Sequence, residues 1–460
     1  MQPLTCAEII EASGGFLESG ASGAVFTDVS TDSRSTKSGD LFIPIIGRRH
    51  DGHDFIRSSF EAGAAGVLTQ KDIGPAPGKT VIRVKDTLKA LRDIAGFYRK
   101  KFKLPVVGVT GSVGKTSTKD MIACVLGRKY KVLKTEGNYN NEIGLPLSIF
   151  NLDSSHEAAV FEMGMSGFGE ISRLASIAKP DIAVITNIGL SHVEKLGSRQ
   201  NILKAKMEIL EGLPQNGLVV LNGDDNLLYG LKDLLRFKVV FYGMGEGLDY
   251  QAYNIRNAGE RGTYFEITLG NTDAAIHVPV PGVHNIYNAL AAIAVGFELK
   301  VSPEEIIRGI SEFSPGGMRM NIISHKGFKI INDAYNASPQ STESAICVLR
   351  DIGRGGRTFA VLGDMLELGE YSEKAHYDAG RFAAENRIEY IIAVGKNSRL
   401  IAQGALDAGA VPANVKSFDS NMRAFEFVKN LISEGDTVLV KGSRGMKMEE
   451  IVNALLRQDC

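Results

Sequence analysis

The chain lacks any apolar run approaching the ~20 residues that a membrane span needs. Its first residues place Glu8 and Glu11 early and hold no long apolar core, so no signal peptide is expected. Cysteine is scarce: Cys6, Cys124, Cys347 and Cys460 are scattered without metal-type spacing and read as thiols in a reducing compartment. Excess charge is missing too. Lys and Arg number 52 against 53 Asp and Glu, a net charge of −1, which gives no bulk attraction to nucleic acid or to an anionic membrane. No short repeat, low-complexity linker or G-x-G-x-x-G dinucleotide fingerprint is present. These absences leave a cytoplasmic globular protein, with 44% hydrophobic and 23% charged residues. Its 460 residues make roughly three domains, each able to bury a core of its own.

What is present is organised around GVTGSVGKTSTKDMIACVL, residues 108–126. The apolar run Leu104 to Val109 reads as a buried strand, and an amphipathic helical pattern resumes after Gly114. Strand, glycine loop and helix form the setting of a phosphate cradle. Glycines let backbone N–H groups of Thr110, Gly111, Ser112, Val113 and Gly114 approach phosphate oxygens, and the helix N-terminus adds donors and a positive dipole end. Lys115 supplies a charge for the β- and γ-phosphates of ATP, and Thr116, followed by Ser117, offers a hydroxyl to Mg²⁺. The general pattern wants glycine where Val109 stands, so the fitting form is the shorter T-G-x-x-G-K-[ST].

The fold expected is α/β in three domains: 1–84, small and α/β; 85–315, a mainly parallel sheet around the phosphate loop; and 316–460, Rossmann-like and doubly wound. In the middle domain Val106–Val109, 158–162, 182–187 and 218–222 read as strands with helical segments between them. TYFEITLGNTDAAIHVPVPG reads as an antiparallel hairpin appended to that sheet. In the last domain GFKIINDAYN, RTFAVLGDM, YIIAVG and DTVLVKGS each read as a strand.

Several side chains stand where chemistry could use them. Glu162 ends the run AAVFE; a carboxylate there could hold Mg²⁺ bound to ATP, and a strand-end Glu is also an ordinary cap or ion-pair partner. His192 follows the strand IAVITNIG, as a metal ligand or as a structural histidine. Lys206, in ILKAKMEIL, lies on a helical pattern, where a lysine is expected to be solvated. Asn285 and Asn288 lie near a helix start, where Asn can meet an adenine edge or cap the helix. Asp333 ends a strand and could accept from ribose hydroxyls, and Arg319 could reach phosphates. Near the N-terminus Ser33, Arg34, Lys37, Arg48, Arg49, His50 and His53 could hold a phosphorylated ligand, although a solvated surface accounts for them as well.

The segments TGSVGKTST, TEGNYNNEIGLPLS, FEMGMSGFGEI, TNIGLSHVEKLGS, KAKMEI, PGVHNIYNALAA, MRM, NDAYNASP, VLGDMLELG and KGSRGMKME resemble, in order and over nearly the whole chain, the Mur ligases of bacterial cell-wall synthesis. TDSRSTKSGDLF and DGHDF resemble the family's uridine-nucleotide part. DAYNASP, GDMLELG and KGSRGMKME are most like the member that adds a dipeptide, and the DNPR segment usual in the diaminopimelate-adding branch is missing. The resemblance implies an ATP-dependent ligase joining D-alanyl-D-alanine to UDP-N-acetylmuramoyl-tripeptide through an acyl phosphate, a monomer with no nucleic-acid partner. It implies Lys115, Glu162, His192 and Lys206 as catalytic residues, with Thr116, Glu162, His192 and a carbamylated Lys206 at Mg²⁺. Asn285, Asn288, Arg319 and Asp333 fall at its nucleotide-contact positions. Ser33, Arg34, Asn138, Asn336, Lys441, Ser443 and Arg444 would meet the other substrates. The alternatives are, first, the tripeptide-forming member of the same family, which joins a diamino acid to a UDP-muramoyl dipeptide, then a folylpolyglutamate-type ligase or a non-catalytic nucleotide-binding regulator.

Overall fold

The computed structural model describes residues 1–47 and 49–457; Arg48 and Cys460, both weighed above, lie outside the described residues. By compactness the chain divides into two units. The first holds Met1–Thr110, Tyr130–Val184 and Ala205–Val219, and the second Gly111–Lys129, Ile185–Lys204 and the chain from Val220 onward.

The N-terminal part carries a five-stranded sheet in the order Phe16–Ser19, Thr80–Arg83, Gly66–Thr69, Asp40–Phe42, Asp28–Ser30. Its first pair is antiparallel and the rest are parallel. The seven-stranded sheet runs Tyr250–Gln251, Lys238–Gly243, Leu218–Asn222, Ile182–Ile185, Val106–Thr110, Ala158–Glu162, Val132–Lys134. Strands such as Val106–Thr110 and Ala158–Glu162 are buried along their whole length, as continuous apolar runs in a parallel sheet are. Their parallel register sets Glu162 opposite Val109, beside the residue where the glycine loop begins. The hairpin Thr263–Leu269 and Thr272–Val278 forms as expected, but it is not appended to this sheet: with Tyr253–Asn257 it makes a separate three-stranded one.

The six-stranded sheet has the order Asn321–His325, Phe328–Asp333, Thr437–Lys441, Thr358–Gly363, Tyr390–Val394, Val415–Phe418. Only its first pair is antiparallel. Alternate side chains point to opposite faces. Ile330, Val361 and Val440 pack with Phe425, Val428 and Ile451 on one face, while Ile331, Ala360, Leu362 and Leu439 pack with Leu349, Ala383 and Ile401 on the other. Helices therefore cover both faces, the doubly wound arrangement. Strand Thr437–Lys441 is inserted between Phe328–Asp333 and Thr358–Gly363, so the strand order reverses there. A crevice at the carboxyl ends of strands is expected at such a reversal.

Candidate active site

The glycine loop is shaped by its neighbours in the second unit. Ser112 N donates to Asn187 O at 3.0 Å and Val113 N to Asn187 Oδ1 at 3.0 Å. Thr186 Oγ1 and Asn187 Nδ2 both donate to Val113 O, at 2.6 and 2.9 Å. Two glycines are obligatory. A Cβ at Gly111 would stand 1.9 Å from Thr186 Oγ1, and Gly114 has φ +86° with Asn288 Oδ1 2.9 Å from where its Cβ would be. The helix Lys115–Leu126 starts at once, with Gly114 at its N-cap and no side-chain cap. Lys115, Thr116 and Ser117 thus open a helix whose N-terminus suits an anion. The Lys115 ammonium bends back onto Gly111 O at 2.9 Å.

Asn285 and Asn288, expected near the nucleotide, brace this loop from inside. Both are buried in the helix His284–Glu298. Asn288 Oδ1 accepts from Thr118 Oγ1 at 2.9 Å, its Nδ2 donates to Asn285 Oδ1 at 2.9 Å, and Asn285 Nδ2 donates to Pro281 O at 2.8 Å. His284, which opens that helix, is held neutral. Burial pushes its pKa down to about 4, with Asp333 pulling upward and Lys441 downward.

At the reversal of the six-stranded sheet, Asp333 and Lys441 are register partners on parallel strands. Lys441 Nζ donates to Asp333 Oδ2 at 2.5 Å and to Asn336 O at 3.0 Å, and Met320 N donates to Asp333 Oδ1 at 3.2 Å. Lys441 is only 2% exposed, so this ion pair is shut away from water. Asp333 therefore carries a structural duty besides any ribose contact. Removing one member of a buried pair strands the other charge. Asp333→Ala is expected to lose about 3–5 kcal/mol of stability even without nucleotide. Asp333→Asn, which can still accept from Lys441, should lose less. Urea unfolding of the ligand-free protein checks this; an unchanged midpoint for Asp333→Ala would leave Asp333 with a purely ligand-facing role.

Ser443 is buried too, and its Oγ accepts from Leu366 N at 2.9 Å. His192, in the loop after strand Ile182–Ile185, has φ +63° and sets its Nδ1 2.5 Å from Glu367 Oε2. Arg319 stacks its guanidinium 4.0 Å from the centre of the Tyr335 ring. Arg444 is exposed and pairs with Glu449 at 2.8 Å, and Asn336 is exposed.

In the first unit Glu162 is 1% exposed at its strand end, held by Asn140 Nδ2 donating to Oε1 at 2.7 Å, while its own N–H donates to Thr135 Oγ1 at 3.0 Å. Asn138, the residue singled out from this segment, is exposed. Lys206 corrects the expectation of a solvated side chain: on the helix Arg199–Met207 it is 2% exposed and ranks among the largest fully buried side chains. Arg34 is exposed, and in the ligand-free protein its guanidinium grips Asp32 through bonds of 2.9 and 2.6 Å. That contact holds the Asp32 carboxyl down at about 2. Ser33, next to it, is half-buried.

Among the described residues no three His, Cys, Asp or Glu side chains form a ready metal cluster. Mg²⁺ does not need one. It binds one or two carboxylates and fills its octahedron with waters and phosphate oxygens. Glu162 in the first unit, a buried strand-end carboxylate, and Thr116 in the second, a hydroxyl in the first turn of the loop helix, are each a hard oxygen donor of the kind that suits it. Asn187, Asn140 and Glu367 were not anticipated from the sequence. Asn187 closes the segment IAVITN, and an Asn ending a strand beside a glycine loop was the one available signal.

Comparison with known proteins finds relatives along nearly the whole chain. Residues 25–99 match the Mur ligase family catalytic domain, residues 109–296 the Mur ligase middle domain, and residues 318–444 the Mur ligase glutamate ligase domain. The chain belongs to the Mur ligase family. Among family members it is 43% identical to the UDP-N-acetylmuramoyl-tripeptide–D-alanyl-D-alanine ligase of Bacillus subtilis, over 94% of this chain and 93% of that one. The enzyme of the same name from Escherichia coli is 34% identical, over 93% of each. Crystal structure I of MurF from Acinetobacter baumannii superposes with a TM-score of 0.92 at 30% identity, covering all of both chains. MurF ligase from Thermotoga maritima in complex with ADP superposes at 0.82 with 29% identity, covering 94% of this chain and 97% of that one. The three-domain α/β architecture of Mur ligases is thus this chain's own.

Proposed function

We propose that this Mur ligase joins D-alanyl-D-alanine to UDP-N-acetylmuramoyl-tripeptide at the expense of ATP, giving the pentapeptide precursor of peptidoglycan, ADP and phosphate. The observation that carries the reading is the 43% identity to a ligase of that name along almost the full length of both chains. The phosphate loop and the reversal point of the six-stranded sheet supply the parts. Residues 1–84 would bind the uridine nucleotide, 85–315 ATP, and 316–460 the incoming amine. No helix among the described residues is long and apolar enough to cross a membrane, and the reading places the enzyme in the cytoplasm, as a monomer.

A free carboxylate resists amines because its carbon is electron-rich and oxide is a poor leaving group. Transfer of the γ-phosphoryl group from ATP to the tripeptide's terminal carboxylate oxygen makes an acyl phosphate and releases ADP. The dipeptide's amine then attacks the acyl carbon, the C–O bond to phosphate breaks, and the amine's proton passes to solvent. The obstacle to the first step is crowded negative charge. The Lys115 ammonium and the backbone N–H groups of Lys115 and Thr116, at the start of the helix, bear on the phosphates. Those of Ser112 and Val113, expected to join them, are taken up by Asn187. Thr186, Asn187 and Asn288 position the loop before reaction. Thr116, Glu162, His192 and Lys206 would hold Mg²⁺, which when bound offsets phosphate charge. Asn140 fixes the orientation of the Glu162 carboxylate.

Lys206 enters this scheme as a carbamate. The lone pair of its neutral amine adds to the carbon of CO₂, a C–N bond forms, and a proton leaves to solvent. The product is an anion with two hard oxygens. Burial of Lys206 supports the reading, since an ammonium fixed in the interior would repel a divalent ion.

The test is a matrix of assays following ADP release. Turnover is expected only with UDP-N-acetylmuramoyl-tripeptide and D-alanyl-D-alanine together. Turnover with the UDP-muramoyl dipeptide and a diamino acid, and none with the first pair, would assign the chain to the preceding step.

A further inference from the structure

The segment Asp364-Met365-Leu366 leaves the carboxyl end of strand Thr358–Gly363, which borders the reversal of the six-stranded sheet. Loops at such a reversal carry the ligand contacts of an open α/β sheet. Three consecutive residues of this loop are pinned, each by a different element. The Asp364 carboxylate accepts from Lys396 N and Asn397 N at 2.8 and 3.0 Å, at the start of the helix Ser398–Asp407. Met365 N donates to His376 Nε2 at 2.9 Å. Leu366 N donates to Ser443 Oγ at 2.9 Å, and Ser443 N donates back to Asp364 O at 3.1 Å. Ser443 Oγ in turn reaches Ala337 O at 3.4 Å, and Lys441 Nζ reaches Asn336 O at 3.0 Å, which ties in the turn after Asp333. DAYNASP, GDMLELG and KGSRGMKME, the segments most like the dipeptide-adding member, thus meet in one knot.

His376 stands behind this knot, 0% exposed on the helix Ser372–Glu385. Both of its ring nitrogens have defined partners. Met365 N can only donate, so Nε2 holds a lone pair; Ser372 O, 2.6 Å from Nδ1, can only accept, so Nδ1 carries the proton. Asp364 Oδ1 lies 3.8 Å from Nε2, beyond hydrogen-bonding reach, and is engaged by Asn397 N. Without the imidazole, Met365 N would be a buried donor with no acceptor, which the fold resists. With that N–H turned inward the Met365 side chain is buried, while Leu366 is left 44% exposed on the outer side. Leu366 lies over Gly445, where a Cβ would come within 2.8 Å of its Cδ1. An apolar side chain is therefore presented to solvent beside the exposed Arg444, on a loop whose backbone cannot shift.

We infer that His376 is a positioning residue for the site of the incoming amine: by accepting from Met365 N it fixes where Leu366 and the turn Ser443-Arg444-Gly445 stand, and so where the dipeptide is held. The inference deepens the reading of residues 316–460 as the amine-binding part and rests on it. His376 itself, fully enclosed, touches no substrate.

The test uses two amides that each copy half of an imidazole. A glutamine side chain can reach the place of Nε2 and accept from Met365 N, whereas an asparagine side chain reaches only the place of Nδ1 and leaves that N–H unmet. Full-length His376→Asn and His376→Gln are compared with the wild type by steady-state ADP release, varying D-alanyl-D-alanine and ATP separately, with thermal unfolding and calorimetric ADP binding alongside. His376→Asn should lose about 10²-fold in kcat/KM for D-alanyl-D-alanine, with KM for ATP and ADP affinity unchanged. His376→Gln should regain most of that loss. Ring-¹⁵N histidine spectra of the wild type should show a neutral ring protonated on Nδ1 that disappears in His376→Gln. Equal losses in the two variants, a parallel fall in ADP affinity, or unchanged kcat/KM in His376→Asn would overturn the inference and leave His376 as a packing residue. So would the lack of any neutral Nδ1–H ring in the wild-type spectrum, a result that needs no variant to fold. A wild type that turns over with a diamino acid and not with D-alanyl-D-alanine would overturn the functional reading itself, and the inference with it, before any variant is compared.

Discussion

Lys115→Ala should lose about 10³-fold in kcat while its folded structure stays intact. The side chain is half-buried at the mouth of the loop and donates to backbone carbonyls, Gly111 O at 2.9 Å and Ser112 O at 3.5 Å. The side chain is not part of the packed core, so the stability change should be small, about 1 kcal/mol. Its work comes when the γ-phosphoryl group is in flight and charge gathers on its oxygens. Loss of one preorganised donor at such a point typically costs 10²–10³ in kcat. A full positive charge beside phosphate sits at the upper end. Lys115→Arg should recover little, because the planar fork does not fit a turn drawn tight by Gly111 and Gly114. Steady-state ADP release with thermal unfolding run alongside checks this. Near-wild-type turnover in Lys115→Ala would remove the phosphate-loop assignment.

Lys206→Ala is expected to fall by a similar factor for a different reason. The proposed carbamate supplies two anionic oxygens, and alanine supplies none. Because Lys206 is 2% exposed, truncation also leaves a cavity, so part of any loss could be structural. Two comparisons separate the causes. Added formate or acetate can enter that cavity and replace the oxygens, restoring part of the rate in Lys206→Ala; a purely structural defect would not respond. Lys206→Arg keeps bulk and charge but takes up no CO₂, and should stay nearly inactive. Full activity in Lys206→Arg would rule out the carbamate.

Most of the scaffold was legible because it rests on local rules. The runs VVGVT, AAVFE and LVVLN announce buried strands, each is buried throughout, and the first two pair in parallel. The glycine loop was legible because Gly111 and Gly114 have no tolerable substitute. Strands Asn321–His325 and Val415–Phe418 escaped notice, being only partly buried and so weakly patterned. In the site, the residues expected to act were easier to name than those that hold them. Asn187 reaches Val113 across 74 positions and Asn140 reaches Glu162 across 22, and no local pattern encodes either contact. The burial of Lys206 was hidden for a related reason: lysine is ordinarily at the surface, and only tertiary packing reverses that. Arg34 shows a different limit: the Asp32 that meets its charge stands two residues away, and the run of residue types alone did not reveal the pairing.

The central claim is that the chain activates the tripeptide's carboxylate by phosphorylation and then delivers it to the amine of D-alanyl-D-alanine. It is tested most directly with UDP-N-acetylmuramoyl-tripeptide whose terminal carboxylate carries ¹⁸O in both oxygens, incubated with ATP, D-alanyl-D-alanine and the purified protein, with phosphate and peptide product analysed by mass spectrometry. The acyl-phosphate route predicts that each phosphate released carries one ¹⁸O and that the pentapeptide retains one. Unlabelled phosphate, with the lost ¹⁸O appearing in water, or release of AMP in place of ADP, would contradict it.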